Sequence, residues 1–283
     1  MSVPVKTLIA AIGFAAALGV SGATAAPSWS APAKDVALFY PGEQSFDWIL
    51  GEHPGADKFK AGKDCGACHI GDEAKMGKDL VSGKGIEKTP PAGKPASVNA
   101  KVQFSHDADS LYVKIVFSDA GQPNSKMGPA DAMVTMMLAG DTVKAATRAG
   151  CWGACHDDAT GMAKAGATGK TMYLAGAGGA NFMEYWQARI TGSTATAVSG
   201  TIADKMTEAK PAAVTAQASN AGGTYTVTLS RKLNAPGLTP LAPGKKYTVA
   251  FAIHAGHTAK RFHYVSFERS LVLDQGAADF VAK

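Results

Sequence analysis

All four cysteines of the chain fall in two short segments that both end in Ala-Cys-His. Cys65-Gly66-Ala67-Cys68-His69 is a C-x-x-C-H, the spacing of covalent c-type haem attachment. Two thiols at that separation add to the two vinyl groups of a porphyrin, and the imidazole that follows directly takes the proximal position on the iron. A zinc site would need a second Cys/His pair nearby, and none follows within the next thirty residues. A thioredoxin-like redox site would need a βαβ setting and no histidine after the second thiol. Cys151-Trp152-Gly153-Ala154-Cys155-His156 repeats the ending with one more residue between the thiols. Its alternative is a local Cys151–Cys155 disulfide, a close and strained spacing for such a bridge. The shared ending favours two haem c groups, with Cys65, Cys68, Cys151 and Cys155 as the covalent attachments and His69 and His156 as proximal iron ligands.

Covalent haem belongs to exported proteins, and the N-terminus agrees. Lys6 precedes an apolar run from Leu8 to Val20, followed by Ser21-Gly22-Ala23-Thr24-Ala25-Ala26. A basic start, an apolar stretch too short to span a bilayer and a small-residue exit predict a signal peptide over residues 1–25, cleaved after Ala25. The alternative is an uncleaved anchor helix. No other stretch reaches transmembrane length, so the expectation is a periplasmic protein that is not integral to the membrane. With 28 basic and 23 acidic side chains and no dense Lys/Arg cluster, the +5 net charge gives no footing for nucleic acid. At 46% hydrophobic and 18% charged, the chain folds around a real core.

The elements that must position the two motifs differ in character. Residues 26–44 read as a Pro-rich, loosely ordered lead-in, and residues 45–98 are Gly/Lys/Pro-rich with little periodicity, so the haem itself is expected to organise a loop-rich or helical segment. From residue 99 the pattern alternates. Leu111, Val113, Ile115 and Phe117 share one face of Ser110–Phe117, and Asp107-Ala108-Asp109 turns it back onto Lys101–His106. Asn220-Ala221-Gly222-Gly223 joins Ala213–Ala218 to Thr224–Leu229 in the same way. Lys246–His254 and Phe262–Leu273 are two further strands. Residues 139–195 form a Gly/Ala-rich insertion carrying the second motif, with a loop at Ala175-Gly176-Ala177-Gly178-Gly179. The fold expected is mainly β: an antiparallel β-sandwich haem-binding domain over 99–283, preceded by an N-terminal haem c segment over 26–98.

The stretch from Val102 to the end resembles the haem-binding domain of the ethylbenzene dehydrogenase gamma subunit and related cytochromes of the dimethyl sulfoxide reductase type. Leu111-Tyr112-Val113-Lys114, Gly150–Asp158, Asn181–Ala188, Phe251-Ala252-Ile253-His254 and Arg261–Ser266 carry the resemblance. It implies a β-sandwich holding a haem at one end and a role in electron transfer. This chain departs from the gamma subunit by attaching haem covalently and by adding an N-terminal haem segment.

The distal ligands come from the remaining histidines and the methionines. His263 shares a strand face with Val265, Phe267 and Leu271, read as the inward face, and the resemblance places an axial ligand near this position. It is the expected distal ligand of the second haem, with His254 and His257 as rivals. For the first haem, His53 lies on a connector able to fold back over the porphyrin, and the resemblance to dihaem relatives implies a histidine there. His53 with His69 is the expected pair, with Met76 and His106 as rivals. Met133, Met136 and Met137 are read as core filling.

Two haems with both axial positions filled predict a carrier of single electrons and no catalytic residues. The partners expected are periplasmic redox proteins, or a membrane-bound or molybdenum oxidoreductase. The alternatives are a haem enzyme acting on a small molecule such as peroxide or nitrite, through one open iron position, and the electron-transfer subunit of a larger oxidoreductase.

Overall fold

The computed structural model describes residues 27–42, 46–84, 88–90, 92–119, 130–140, 143, 148, 150, 182–202, 206–255 and 263–283. The signal peptide expected over 1–25, the second motif with Cys151, Cys155 and His156, the 175–179 loop, and His257 lie outside the described residues.

Alternating side chains build most of the molecule. The strands are β1 (Lys34–Phe39), β2 (Ser97–His106), β3 (Ser110–Ser118), β4 (Ala132–Gly140), β5 (Met183–Thr191), β6 (Thr194–Ile202), β7 (Met206–Glu208), β8 (Thr215–Ala221), β9 (Thr224–Lys232), β10 (Lys246–Ala255), β11 (Tyr264–Val265), β12 (Arg269–Leu273) and β13 (Phe280–Ala282). They form one curled sheet in the order β7-β6-β5-β4-β10-β11-β1-β2-β3-β9-β8. Its β8 end folds back over β5 and β6, so the sheet packs on itself as a sandwich. Every pairing is antiparallel except β12 with β13. The mainly β expectation holds, and both hairpin turns lie where the sequence puts them.

Two expectations are corrected. The lead-in is not loose, because Lys34–Phe39 is the strand between β11 and β2. Its Pro-rich flank is tied down as well: the Gln103 side-chain amide donates to the carbonyls of Trp29 and Ala31. The strand expected across Phe262–Leu273 is broken at Ser266–Glu268. There the Ser266 hydroxyl accepts the Phe251 N–H at 2.9 Å, and the Ser266 N–H donates to the Phe251 carbonyl. Side chain substitutes for main chain at one rung, and the pairing stops.

The interior of the sandwich is built from Phe104, Phe251 and Phe280, whose ring centroids lie 5.1 to 6.5 Å apart. At its far side Glu184 and Arg231 form a fully buried ion pair at 3.0 Å. The Trp186 indole N–H and the Thr239 N–H donate to the same carboxylate.

The other face of the β11–β1 region is covered by four short helices: α1 (Phe46–Gly51), α2 (Ala56–Lys60), α3 (Gly66–His69) and α4 (Glu73–Val81). None is long enough to be stable by itself. They hold because Ile49, Phe59 and Leu80 join the main hydrophobic core. In α4, Gly77 lies directly against the Ala96 carbonyl, where a Cβ has no room. Among the described residues, no helix is long and apolar enough to cross a membrane.

Candidate functional site

The first motif is a single helical turn whose leading amides are all spoken for. The Gly66 N–H donates to Glu268 Oε1 at 2.7 Å, the Ala67 N–H to Asp64 Oδ1 at 3.0 Å, and the Cys68 N–H to the Cys65 carbonyl. A Cβ at Gly66 would meet Glu268 Oε1 at 2.5 Å, so glycine is required for that carboxylate to approach. The Cys65 N–H donates to the Arg148 carbonyl at 2.7 Å, which ties the first motif to the residues just ahead of the second. Gly150, at φ +56°, packs against the backbone of Glu268.

Neither cysteine of this turn is in a disulfide; Cys65 is buried and Cys68 exposed. Burial, and then the negative charges of Glu268 and Asp64, push the Cys65 thiol up to about 12. Glu268 is itself raised to about 7, chiefly by burial, and its Oε2 accepts no hydrogen bond. Arg269, beside it, also reaches Glu73 at the start of α4 at 3.8 Å.

His53 and His69 both line a cavity of about 320 Å³, together with Ile49, Phe59, Cys65 and Cys68 among others. Their ring centroids are 5.9 Å apart with planes at 71°. Trp48 buttresses His53 edge-on at 4.9 Å, and Phe267 stacks on His69 at 6.0 Å and 18°. Burial first, and then the neighbouring His69, lower the pKa of His53 and leave it a neutral base. Its Nδ1 accepts the Gly55 N–H at 3.0 Å. In that tautomer the proton sits on Nε2, so ligation through Nε2 moves the proton to Nδ1 and gives up the Gly55 contact.

The rivals to His53 lie elsewhere. His106, at the far end of β2, has Nε2 2.8 Å from Asp274 Oδ1 and Nδ1 3.0 Å from the Asp107 carbonyl. Met76 packs on the core and does not line the cavity. Met136 and Met137 are core residues, as read, while Met133 is the cross-strand neighbour of His254.

His254 and His263 are both buried, with rings stacked at 4.8 Å and 19°. Parity in the sequence aims His263 into the sandwich. The register corrects this. Ala252 opposes Val265 and Ile253 opposes Tyr264, so His263, Val265 and Phe267 share a face with Ala252 and His254. That face turns away from Phe251 and the sandwich interior, toward the helices that carry the first motif. The two histidines are therefore a stacked pair on one face of the sheet.

The residues present fit a covalently attached haem. Both cysteines line one apolar cavity, a histidine follows the second of them, and a further histidine lies close to that one. Cys65 and Cys68 would hold the group covalently, and His69 and His53 would be the residues within reach of its iron. Glu268, Phe267 and Arg148 were not legible as site residues, because their contacts with the motif carry no local signature.

The chain is 38% identical to cytochrome c-552 of Stutzerimonas stutzeri over 280 residues, covering 95% of this chain and 96% of that protein. The chain belongs to the c-type cytochromes. This cytochrome is also 34% identical to cytochrome c-551 of Rhodocyclus tenuis over 249 residues, covering 85% of it and 92% of the relative. As a family member the cytochrome is an electron-transfer haem protein. No protein-family model matches it. Among solved structures, a family 9 carbohydrate binding module from Caldicellulosiruptor kristjanssonii matches the cytochrome with a TM-score of 0.34 and 10% identity, over 60% of this chain and 65% of that one.

Proposed function

We propose that this chain is an exported, periplasmic dihaem cytochrome that passes single electrons between redox partners and is not an enzyme. The haem supplies a one-electron iron couple when bound. Cys65 and Cys68 hold the first group by thioether bonds, and His69 and His53 take its two axial positions. Cys151 and Cys155 hold the second, with His156 proximal and His263 distal. The observation that carries this reading is the closeness of His53 and His69 in a cavity that both cysteines also line. Histidine on both sides fills the coordination that substrate chemistry needs open, and Trp48 and Phe267 hold the two rings from behind. His263, buried on the same sheet face and stacked on His254, supplies the second closure.

The N-terminal pattern of residues 1–25 supports export, and the cytochrome's partners are then redox proteins of the periplasm or a membrane-bound or molybdenum oxidoreductase. The test is a carbon monoxide difference spectrum of the reduced protein, with haem stoichiometry from the denatured mass. Two haems per chain and no carbon monoxide binding are expected, while H53A and H263G each open one haem to the gas. Strong binding by the wild-type protein would overturn the carrier reading in favour of the small-molecule enzyme.

A further inference from the structure

We propose that Arg148 binds a carboxylate beside the first motif, through the side-on fork of its guanidinium. The inference rests on the reading of Cys65–His69 as a haem c site and needs nothing from the second motif. Arg148 Nε and Nη2 are buried, and neither has an acceptor among the described residues. These two atoms carry the parallel N–H groups of one guanidinium edge, which match the two oxygens of a carboxylate. A charged edge is costly to bury without an acceptor, and an anion that completes it accounts for the burial.

Two contacts fix where that edge lies. The Arg148 carbonyl accepts the Cys65 N–H at 2.7 Å, so the residue is tied to the first attachment cysteine. The guanidinium lies over the Phe59 ring at 4.2 Å, and Phe59 lines the cavity shared by His53, His69 and both cysteines. Stacking covers the face of the guanidinium and leaves its in-plane N–H groups to find a partner. Arg148 also lines an open hollow of about 800 Å³ whose acidic side chains are engaged elsewhere. Asp64 accepts the Ala67 N–H, Asp279 accepts from Ser270, and Glu268 Oε1 accepts the Gly66 N–H. Glu268 Oε2 accepts nothing, which makes it the internal rival for the fork. Two sources carry the required group: a propionate of the haem, and a free carboxylate entering from the hollow. Burial of both nitrogens favours the propionate, since neither atom is open to solvent.

The experiment uses the full chain carrying its haem. Resonance Raman spectra of the wild type, R148Q, R148K and E268Q report the propionate bending band, and potentiometry reports the midpoint. R148Q and R148K should both move the band, since neither reproduces the fork. R148Q leaves the carboxylate without a cation and should lower the reduction equilibrium by about tenfold, about 59 mV for one electron. R148K keeps the charge and should stay within about threefold. If R148Q loses haem, R148K carries the band test. E268Q should leave the band in place, and the band that moves should be absent from C65A/C68A protein. A fixed band, with added acetate shifting the midpoint of the wild type but not of R148Q, makes the free carboxylate the source. A fixed band with no acetate effect, an equal shift in E268Q, or a moving band that survives in C65A/C68A protein would overturn the proposal. C65A/C68A protein that loses no haem mass would overturn the haem reading of the first motif instead.

Discussion

The two sides of the β10–β11–β1 sheet are held together by different means. The sandwich side encloses a continuous aromatic core and neutralises its deepest charges internally, with Glu184 and Arg231 satisfied by Trp186, Thr239 and nearby carbonyls. The haem side is four helices of four to nine residues, tied to the sheet by a few apolar anchors and by polar contacts from Glu268 and Arg269. One side is stable through its own packing. The other is a set of short elements around a cavity lined by Cys65, Cys68, His53 and His69.

The sharpest break of this contrast removes the attachment. In C65A/C68A protein, amides of residues 46–81 should lose most of their hydrogen-exchange protection, while β2, β3 and β9 keep theirs. Equal protection in both regions would mean that the helices stand unaided. The converse substitution strikes the other side. E184A leaves Arg231 buried without its carboxylate and should cost about 3–5 kcal/mol in denaturant unfolding. The absorption of the first haem should stay as in the wild type up to the transition.

A third change tests the seam. G66V places a side chain where Glu268 Oε1 sits, and should cost about 1–3 kcal/mol while shifting the absorption of the first haem. If the spectrum is unmoved, the carboxylate does not hold the motif.

The smallest effect is in pH. Glu268 titrates near 7 in the folded chain against an ordinary 4.5. Below about pH 4.5 it is neutral in both the folded and the unfolded state. As pH rises toward 7 the unfolded chain ionises first, so stability is lost across that window. E268Q keeps an acceptor for the Gly66 N–H and removes the slope. The variant's advantage in denaturant midpoint should grow from pH 4.5 to 7 and then level off.

Legibility in the sequence followed the range of the interactions. The C-x-x-C-H is a contiguous device and can be read from five letters, and the β2–β3 and β8–β9 hairpins close over a few residues. His53 could be placed near the first motif because only eleven residues of Gly/Lys-rich connector separate it from Cys65. The hydrogen bond from Gly66 to Glu268 spans 202 positions and leaves no mark near either residue. Parity grouped His263 with Val265 correctly but with Leu271 wrongly, because the break at Ser266–Glu268 turns Leu271 to the Phe251 face, and it did not show where the His263 face points. That direction was set by pairing with Ala252 and Phe39, which lie elsewhere in the chain. The strand in the Pro-rich lead-in was hidden for the same reason: Val36, Ala37, Leu38 and Phe39 are only a short apolar run without alternation until β2 lies beside them.

The long span between Gly66 and Glu268 also sets an order of events during biosynthesis. A chain made from its N-terminus presents Cys65 and Cys68 long before Phe267 and Glu268 exist. Until those residues arrive, β1 lacks its β11 neighbour, the one-turn helix lacks the acceptor for its first amide, and His69 has no ring behind it. The thiols are then reachable by whatever delivers the porphyrin. Closing so distant a contact is slow relative to local hairpins. The last segments of the chain are therefore the ones that complete the surroundings of the first motif.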